Sequence, residues 1–440
     1  MSKKYLSAAF AYVGVIVGAG LASGQDLLQY FLAYGAIGLI GIAALGVLNV
    51  IFGAVALQLG SYYRSDNHDV VFEQIARPAL RRIIDVVLVF SAFTMGFVML
   101  AGAGANLEQQ FGLPAWAGSA LCAVLVVLTA FLNFDRIMKV IGVFTPIIMV
   151  AIAVLMIYSL VTPHASVAEL DAAARNVTPA LPNLVFSTLN YFALCVVGGI
   201  AMAFVLGGSI LRIGEARRAG HIGGVLIALV LGADAVALYL NVDRIWNFDV
   251  PALEIARSVH PAFAFVYTLV IFALIYNTAF SLFYSTARRF SGGSTARLRI
   301  VLVAVVAAGY AASFMGFKKL IGAMYPIIGW LGVALLVVLA VGWLRERSAV
   351  LREENLRRKL IRVMVRKHAD DLEYTDEHRA QARTLAQASV VDGTDLRREA
   401  DSIAEQIADT QDDAAAYARE ALPVDEALVE EALEADRANG

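Results

Sequence analysis

The stretch 17-Val-Gly-Ala-Gly-Leu-Ala-Ser-Gly-Gln-Asp-26 lies near the middle of the first long hydrophobic segment, residues 5–32, and holds three glycines within seven positions. Each glycine inside a helix costs about 1 kcal/mol relative to alanine. Backbone N–H and C=O groups that a break frees inside a membrane must line a cavity or bind a ligand. We therefore predict that the first helix is broken here and that the break forms part of a binding site.

The composition is that of a membrane protein. The chain has 440 residues, of which 59% are hydrophobic and 16% charged, and its mean hydropathy is +0.70. Soluble domains carry about 25% charged residues. The two cysteines, Cys122 and Cys195, lie in apolar stretches and support neither a disulfide framework nor a zinc site. No basic groove is apparent, so we expect no nucleic-acid partner.

Ten segments are long and apolar enough to cross a bilayer, which takes roughly 20 residues of helix. We expect the first segment to be retained as a span rather than removed as a signal peptide, because its apolar region is long and no convincing cleavage site ends it. The predicted spans are 5–32, 35–62, 86–107, 109–134, 140–168, 176–211, 219–242, 258–287, 300–317 and 320–344.

Positive charge in the connections predicts the orientation of the spans. With the N-terminus in the cytoplasm, the inner segments carry 15 Lys and Arg and the outer segments carry 5. The inner set includes Arg136 and Lys139. An even number of spans places the C-terminus in the cytoplasm as well. The localisation that follows is the cell membrane, as a multi-pass protein.

The sixth span is the second one that we expect to be broken. It lies in a charge-free run of 36 residues that contains Asn190 and the pair Gly198-Gly199. Spans one and six occupy corresponding positions if the body consists of two halves of five helices. Glycine-interrupted segments in corresponding halves indicate a transporter binding site near the membrane midplane.

Two other interpretations of residues 18–24 stay open. The glycine spacing is similar to a dinucleotide-binding fingerprint, but it misses G-x-G-x-x-G and has no βαβ unit around it. Small residues also allow close packing between membrane helices without any break. The sequence Ser23-Gly24-Gln25-Asp26 favours a break, because it matches a capping box in which Ser23 restarts a helix whose third residue is Asp26. Asp26 is then either a structural cap or a functional intramembrane carboxylate.

Several stretches resemble the bacterial YkvI-type membrane proteins, relatives of the amino acid–polyamine–organocation transporters. The first-span motif, residues 17–26, is the most specific, and the resemblance covers roughly residues 5–344. Asp26 stands where glutamate is expected, and Asn277 where a second threonine is expected. The remaining similar stretches are Met99–Ala105, Ile275–Ala279, Gly316–Leu320 and Tyr325-Pro326.

The resemblance implies a leucine-transporter-type fold, with two inverted five-helix repeats and with helices 1 and 6 unwound at the site. It implies that span three forms one wall of the substrate site, and that a sodium ion is bound between the first-span break and span eight. The predicted cation ligands are Gly18, Leu21, Asn277, Thr278 and Ser281. The predicted substrate-binding residues are Gly18, Ala19, Gly20, Ala22, Ser23, Gly24, Asp26, Gly102, Tyr191, Ala193 and Gly198.

Each of these assignments has a simpler structural alternative. Glycines such as Gly102 usually mark close helix contacts, and single aromatic residues usually pack. Thr278 and Ser281 can bond back to their own helix carbonyls. Asp234, in span seven, is an isolated carboxylate that either relays protons or pairs with a nearby hydroxyl.

Charge divides the chain into three regions. Residues 1–344, the membrane domain, carry a net charge of +6, whereas residues 345–440 carry −8. Residues 345–367 are predicted to form a basic amphipathic helix against the anionic inner leaflet. Residues 368–440 have 20 acidic and 6 basic side chains and are predicted to be a cytoplasmic tail, partly helical or disordered, which either binds a cytoplasmic partner or is a solvated appendage.

The sequence therefore predicts an all-α integral membrane protein that moves a small solute by alternating access. The substrate expected is an amino acid or a related amine or carboxylate, coupled to Na⁺ or H⁺, with no other cofactor. The alternative is a membrane sensor that keeps the transporter fold without transport. An intramembrane enzyme is disfavoured, because no His-Glu-x-x-His motif or catalytic Gly-x-Ser-x-Gly set occurs.

Overall fold

A computed structural model describes residues 3–65, 68–75, 78–129, 131, 144–163, 165–369, 371–410 and 414–419. Within these ranges the chain is helical and contains no β-strand. Parts of the predicted fourth and fifth spans, including Arg136 and Lys139, lie outside the described residues. So do positions 420–440 of the tail and the side chain of Ala19.

Nineteen α-helices follow one another along these ranges, with a 3₁₀ helix at Leu32–Ile37. They are α1 Lys3–Ile16, α2 Ala19–Ser23, α3 Gln25–Tyr30, α4 Gly38–Tyr63, α5 His68–Ile75, α6 Pro78–Phe111, α7 Ala115–Thr129, α8 Phe144–Val161, α9 Val167–Ala174, α10 Leu184–Gly208, α11 Ile213–Leu240, α12 Val242–Ile245, α13 Pro251–Val259, α14 Pro261–Phe290, α15 Thr295–Ser313, α16 Phe317–Val365, α17 Asp376–Gln387, α18 Gly393–Thr410 and α19 Ala414–Arg419.

Seven of the described helical segments are long and apolar enough to cross a membrane. They are Leu32–Tyr63, which joins the 3₁₀ helix to α4 and is kinked at Gly35, and α6, α10, α11, α14, α15 and α16. Shorter apolar helices, Tyr5–Ile16, Ala115–Thr129 and Pro146–Val161, fall in the other three predicted spans. The all-helical membrane architecture is thus confirmed.

Local sequence explains where several of these helices begin. Asn183 precedes α10, and its side chain accepts the N–H of Phe186. Pro261 occupies the first turn of α14, where its missing N–H leaves no bond unmade. Gly316 precedes α16 with a φ of 88° that other residues rarely adopt. These stops and starts separate apolar runs into distinct helices.

The expected break in the sixth span is wrong. Helix α10 is continuous from Leu184 to Gly208, and its glycine pair is used for packing. A Cβ on Gly199 would lie 2.5 Å from the Cδ1 atom of Ile16, at the end of α1. A Cβ on Gly198 would lie 3.4 Å from the methyl group of Met95 on α6. The pair therefore lets α10 approach α1 and α6 closely without unwinding.

The helices around the first span form one large apolar core. Helix α4 packs along α10 and α11, α6 packs along α14, and α1 contacts both α10 and α11. Helices α2 and α3 lie inside this arrangement, with α2 against α14 and α3 against α10, α11 and α16. The first-span break is consequently surrounded by protein on several sides.

Helix α16 does not end where its apolar part ends, but continues to Val365. Leu356, Leu360, Val363 and Met364 on this extension are buried in a second apolar cluster with residues of α17 and α18. The face that the sequence pattern assigns to the lipid surface is therefore covered by the tail helices. An intramolecular partner and a membrane surface both require the same apolar periodicity, so the sequence pattern does not distinguish them.

Candidate functional site

The first span is interrupted twice. Helix α1 ends at Ile16, and Gly18 adopts an extended conformation with φ −90° and ψ −169° before α2 begins. Gly24 then takes φ 77°, which separates α2 from α3 and is readily accessible only to glycine. The break predicted from the glycine run is thus present, and it leaves a five-residue helix between two bends.

The freed peptide groups at the break find partners in the protein. The Ser23 hydroxyl donates to the Gly20 carbonyl at 2.7 Å, and the Tyr267 hydroxyl, on α14, donates to the Ala22 carbonyl at 2.9 Å. The Leu21 carbonyl accepts the N–H of Gly24 at 3.1 Å. A buried carbonyl without such a partner would be costly.

The predicted capping box is wrong in detail. Gly24, not Ser23, is the residue that precedes α3, and no side-chain cap is formed at this end. Ser23 belongs to α2, and its Oγ atom accepts the N–H of Gln25 at 3.2 Å. The left-handed conformation of Gly24 turns the chain before a serine cap of the usual geometry can form.

Asp26 is buried and held by hydrogen bonds. Its Oδ2 atom accepts the hydroxyl of Tyr191 at 2.5 Å, and its Oδ1 atom accepts the N–H of Leu27 at 2.9 Å. A Cβ on Gly20 would lie 3.0 Å from Oδ2 and 3.7 Å from the Tyr325 hydroxyl. A carboxyl group and two phenol groups therefore converge beside Gly20, whose missing side chain leaves them room.

A second hydrogen-bonded chain borders this cluster. The Tyr30 hydroxyl donates to Oδ1 of Asn190 at 3.2 Å, and Nδ2 of Asn190 donates to the Pro326 carbonyl at 2.9 Å. The rings of Tyr30 and Tyr191 lie 5.0 Å apart between centroids. The end of α3 is thereby connected to α10 and α16 through polar groups in an apolar core.

Helix α14 presents oxygen atoms beside the first bend. A Cβ on Gly18 would lie 4.0 Å from Oγ1 of Thr278. The Oδ1 atom of the neighbouring Asn277 is buried and has no hydrogen-bond partner among the described residues. Ser281, one turn further, is half-buried. Neutral oxygens of this kind are the ligands that hard cations prefer, so the residues fit a sodium ion.

Two buried polar side chains near the break have no hydrogen-bond partner in the described part of the chain. They are Gln25, through both amide atoms, and Asp234, through both carboxyl oxygens. Leu238, one turn after Asp234 on α11, packs against Gly24, where an added Cβ would lie only 2.8 Å from the Leu238 side chain. Burial of such groups is costly unless a proton, an ion or a ligand satisfies them.

Three predicted substrate-binding residues are engaged in helix packing. A Cβ added to Gly102 would lie 2.9 Å from the ring of Phe317, and a Cβ added to Gly198 would contact the end of the Met95 side chain. The carbonyl of Ala193 lies against Gly332 of α16. The structure thus brings the first-span residues, Tyr191 and Thr278 together, whereas Gly102, Ala193 and Gly198 contact other helices.

The sequence reasoning missed several members of the cluster. Tyr267 and Tyr30 are single tyrosines in predicted spans, and no sequence pattern distinguishes them from residues that only pack against neighbouring helices. Gln25 lies inside the first-span motif, but the prediction of a break there rested on the glycines alone. Tyr325 lies in one of the stretches that resemble the YkvI-type proteins, and this resemblance is the one signal that pointed to it.

Comparisons with known proteins agree with this architecture, although no family model matches the chain. The membrane protein YkvI of Bacillus subtilis is 26% identical over 332 residues, which cover 74% of this chain and 92% of YkvI. YyaD of the same organism is 26% identical over 329 residues, which cover 74% of this chain and 93% of YyaD. Both proteins match almost throughout, so this chain carries a stretch that they lack.

Two solved structures have a similar fold. A crystal structure of MhsT in complex with L-phenylalanine has a TM-score of 0.55 at 16% identity, and covers 93% of this chain and 98% of MhsT. An inward-facing conformation of Mhp1 has a TM-score of 0.50 at 15% identity, and the match covers 96% of this chain and 95% of Mhp1. Mhp1 is described as a nucleobase-cation-symport-1 family transporter. The chain is similar in sequence to YkvI and YyaD, and its fold is similar to those of MhsT and Mhp1.

Proposed function

We propose that the chain is a secondary transporter that moves a small solute across the cell membrane by alternating access. The observation that carries the proposal is the doubly broken first helix, whose backbone lies beside a buried carboxyl group and two tyrosine hydroxyls. Irregular backbone at membrane depth is tolerated where it lines a cavity or a ligand site. The shared fold with solute transporters supports the same function.

The proposal includes ten spans in two inverted five-helix repeats, with both termini in the cytoplasm. Seven long and three shorter apolar helices supply the ten segments. The excess of Lys and Arg in one set of connections supports the orientation. In this arrangement α1 to α3 form the first span and α10 the sixth, and the substrate lies between them.

An amino acid or a related amine or carboxylate fits the site best. The carboxyl group of Asp26 can pair with an amine, and it lies next to Gly20, where no side chain blocks approach. A substrate carboxylate would be received by N–H groups at the break. The similar protein MhsT is described in complex with L-phenylalanine, which supports this class of substrate.

The coupling ion is either Na⁺ or H⁺. For Na⁺, the ligands are the carbonyls of Gly18 and Leu21 with the side chains of Asn277, Thr278 and Ser281. For H⁺, the carriers are Asp26 or Asp234, of which only Asp234 lacks a described hydrogen-bond partner. The Asn277 oxygen, buried and unpartnered in the described structure, favours the first alternative.

A membrane sensor is the second candidate, favoured by how the tail meets the membrane domain. Arg357, only 1% exposed, donates to the carbonyls of Ser61, Tyr62 and Leu211. Helix α16 therefore joins the inner ends of α4 and α10 to the tail. A solute-dependent movement of those ends would reach the tail even if nothing crossed the membrane.

Uptake into proteoliposomes distinguishes the two functions. Purified protein is first screened by thermal shift against amino acids, amines and nucleobases, with and without Na⁺. Stabilising solutes are then tested for uptake under an imposed Na⁺ gradient or pH gradient. Accumulation above the external concentration supports the transporter. A solute that binds but is neither accumulated nor exchanged contradicts transport and supports the sensor.

A further inference from the structure

An arginine-rich cavity lies where the tail meets the membrane domain, well separated in sequence from the first-span break. It has a volume of about 290 Å³ and lies between the first turns of α11, the extension of α16 and the ring of Tyr417 on α19. Six arginines line it: Arg212, Arg217, Arg218, Arg357, Arg358 and Arg362.

Positive charge exceeds negative charge around this cavity. The six guanidinium groups face two carboxylates, Glu215 and Glu354. Glu354 is shared by Arg217 at 3.3 Å and Arg358 at 3.0 Å, and Glu215 pairs with Arg212. Arg357 has its own partner in Glu353 at 2.7 Å, outside the lining. Even when Arg362, which has a further interaction, is left out, five guanidinium groups remain against three carboxylates among the described residues.

A general excess of arginine on the cytoplasmic side does not account for this arrangement. The positive-inside rule requires charges in short loops near the span ends, where they are solvated and can stay apart. Here arginines from α11 and from α16, which are distant in sequence, line one open cavity. Clustered guanidinium groups repel one another unless an anion lies among them.

The local geometry suits phosphate in particular. Arginine presents paired N–H donors that bind phosphate oxygens two at a time. Helix α11 begins at Ile213, so the N–H groups of its first turn add partial positive charge at the same wall. The guanidinium group of Arg362 also lies 5.4 Å from the centre of the Tyr417 ring, which forms the aromatic part of the cavity lining.

We propose that this cavity binds the phosphate groups of a cytoplasmic anion, either a free phosphorylated small molecule or the headgroup of an anionic lipid. The volume matches the lower end of small-molecule sites and is too small for a folded partner. The bound anion would join α11 in the membrane domain to α16 and α19 in the tail. It would thereby stabilise the docked position of the tail.

The test uses the full-length protein in nanodiscs of phosphatidylcholine, with pyrophosphate and ATP as soluble probes. Isothermal titration calorimetry measures their binding, and thermal shift measures their effect on stability. We expect both probes to bind and to raise the melting temperature. In a parallel arm, nanodiscs that contain phosphatidylglycerol replace the soluble probes. Stabilisation by the soluble probes identifies a free phosphate compound, and stabilisation by phosphatidylglycerol alone identifies a lipid headgroup.

Two substitutions locate the binding. Arg358→Gln removes a guanidinium group from the lining and is expected to weaken binding about tenfold, as for the loss of a charge-assisted hydrogen bond. Arg218→Gln removes an exposed lining group, so it tests the cavity without disturbing a buried pair. Arg379→Gln is the matched control, because it removes the same charge from an exposed position on α17.

Three results would overturn the proposal. The first is the absence of stabilisation by pyrophosphate, ATP and phosphatidylglycerol alike. The second is an equal loss of binding in Arg379→Gln and in the cavity variants, which would indicate nonspecific attraction of the anion to the positive charge of the protein. The third is phosphate binding that appears only when the seven acidic residues of positions 420–440 are changed to amides. That result would identify the acidic end of the chain as the occupant.

Discussion

The first and sixth spans both contain runs of glycine, but only the first is broken. At the first span, the bends at Gly18 and Gly24 are accompanied by hydroxyl donors from Ser23 and Tyr267. At the sixth, Gly198 and Gly199 receive the side chains of Met95 and Ile16. The difference shows that glycine permits a break and that polar partners for the freed backbone stabilise it.

The largest expected effect comes from filling the space at the first-span break. Gly20→Leu should reduce uptake to background while the protein still folds, because its Cβ would lie 3.0 Å from Oδ2 of Asp26 and its branches would displace the carboxyl group. Gly198→Ala, in the sixth span, is the control. Its Cβ meets only the flexible end of Met95 at 3.4 Å, so uptake should persist. Normal uptake by Gly20→Leu would place the substrate elsewhere.

The next effect concerns the carboxyl group that distinguishes the two spans. Asp26→Asn should lower concentrative uptake about tenfold or more; solute exchange should continue if Asp26 carries the coupling charge, and should be lost as well if Asp26 pairs with the substrate amine. Exchange and concentrative uptake are measured on the same proteoliposomes. Asp234→Asn serves as the comparison, and the variant that loses dependence on a pH gradient identifies the proton carrier. Wild-type concentrative uptake in Asp26→Asn would leave this residue only a structural role.

A smaller effect is expected on the α14 side of the break. Thr278→Ala and Ser281→Ala should both raise the Na⁺ concentration for half-maximal uptake, by about fivefold for Thr278, as for the loss of one polar contact. The change for Ser281 should be smaller, because Thr278 is the residue beside Gly18. Thr286→Ala is the control, since its hydroxyl donates to the Leu282 carbonyl in the same helix. Uptake that ignores Na⁺ and follows a pH gradient would contradict the sodium site.

The smallest effect tests how the break is stabilised. Tyr267→Phe removes the donor to the Ala22 carbonyl and should lower the free energy of unfolding by about 1–3 kcal/mol, the cost of a buried unsatisfied group. Thermal unfolding in detergent measures the change. Tyr310→Phe, whose hydroxyl donates to the Trp116 carbonyl at a more exposed position, should change it by less than about 0.5 kcal/mol. Equal shifts in the two variants would mean that the break does not depend on Tyr267.

Hydrophobic runs and glycine spacing were sufficient to predict the membrane architecture and the first break. They were not sufficient for the sixth span, because the pair Gly198-Gly199 has the same local composition whether it bends a helix or admits a neighbour. Whether the helix bends or packs closely at this pair depends on Ile16 and Met95, which are distant from it in sequence. The hydroxyl of Tyr267 was missed for the same reason, since its partner lies 245 positions away.

The extension of α16 has a mechanical consequence. A helix of 49 residues is about 70 Å long, and Arg357, eight residues before its end, donates to the carbonyls of Ser61 in α4 and of Leu211 just after α10. Such a helix couples its two ends rigidly, because a tilt of about 10° about Arg357 would displace the opposite end, about 60 Å away, by about 10 Å. A movement of the membrane domain would therefore be transmitted to the tail, where a pair of distance labels on α16 and α18 could follow the proposed transport cycle.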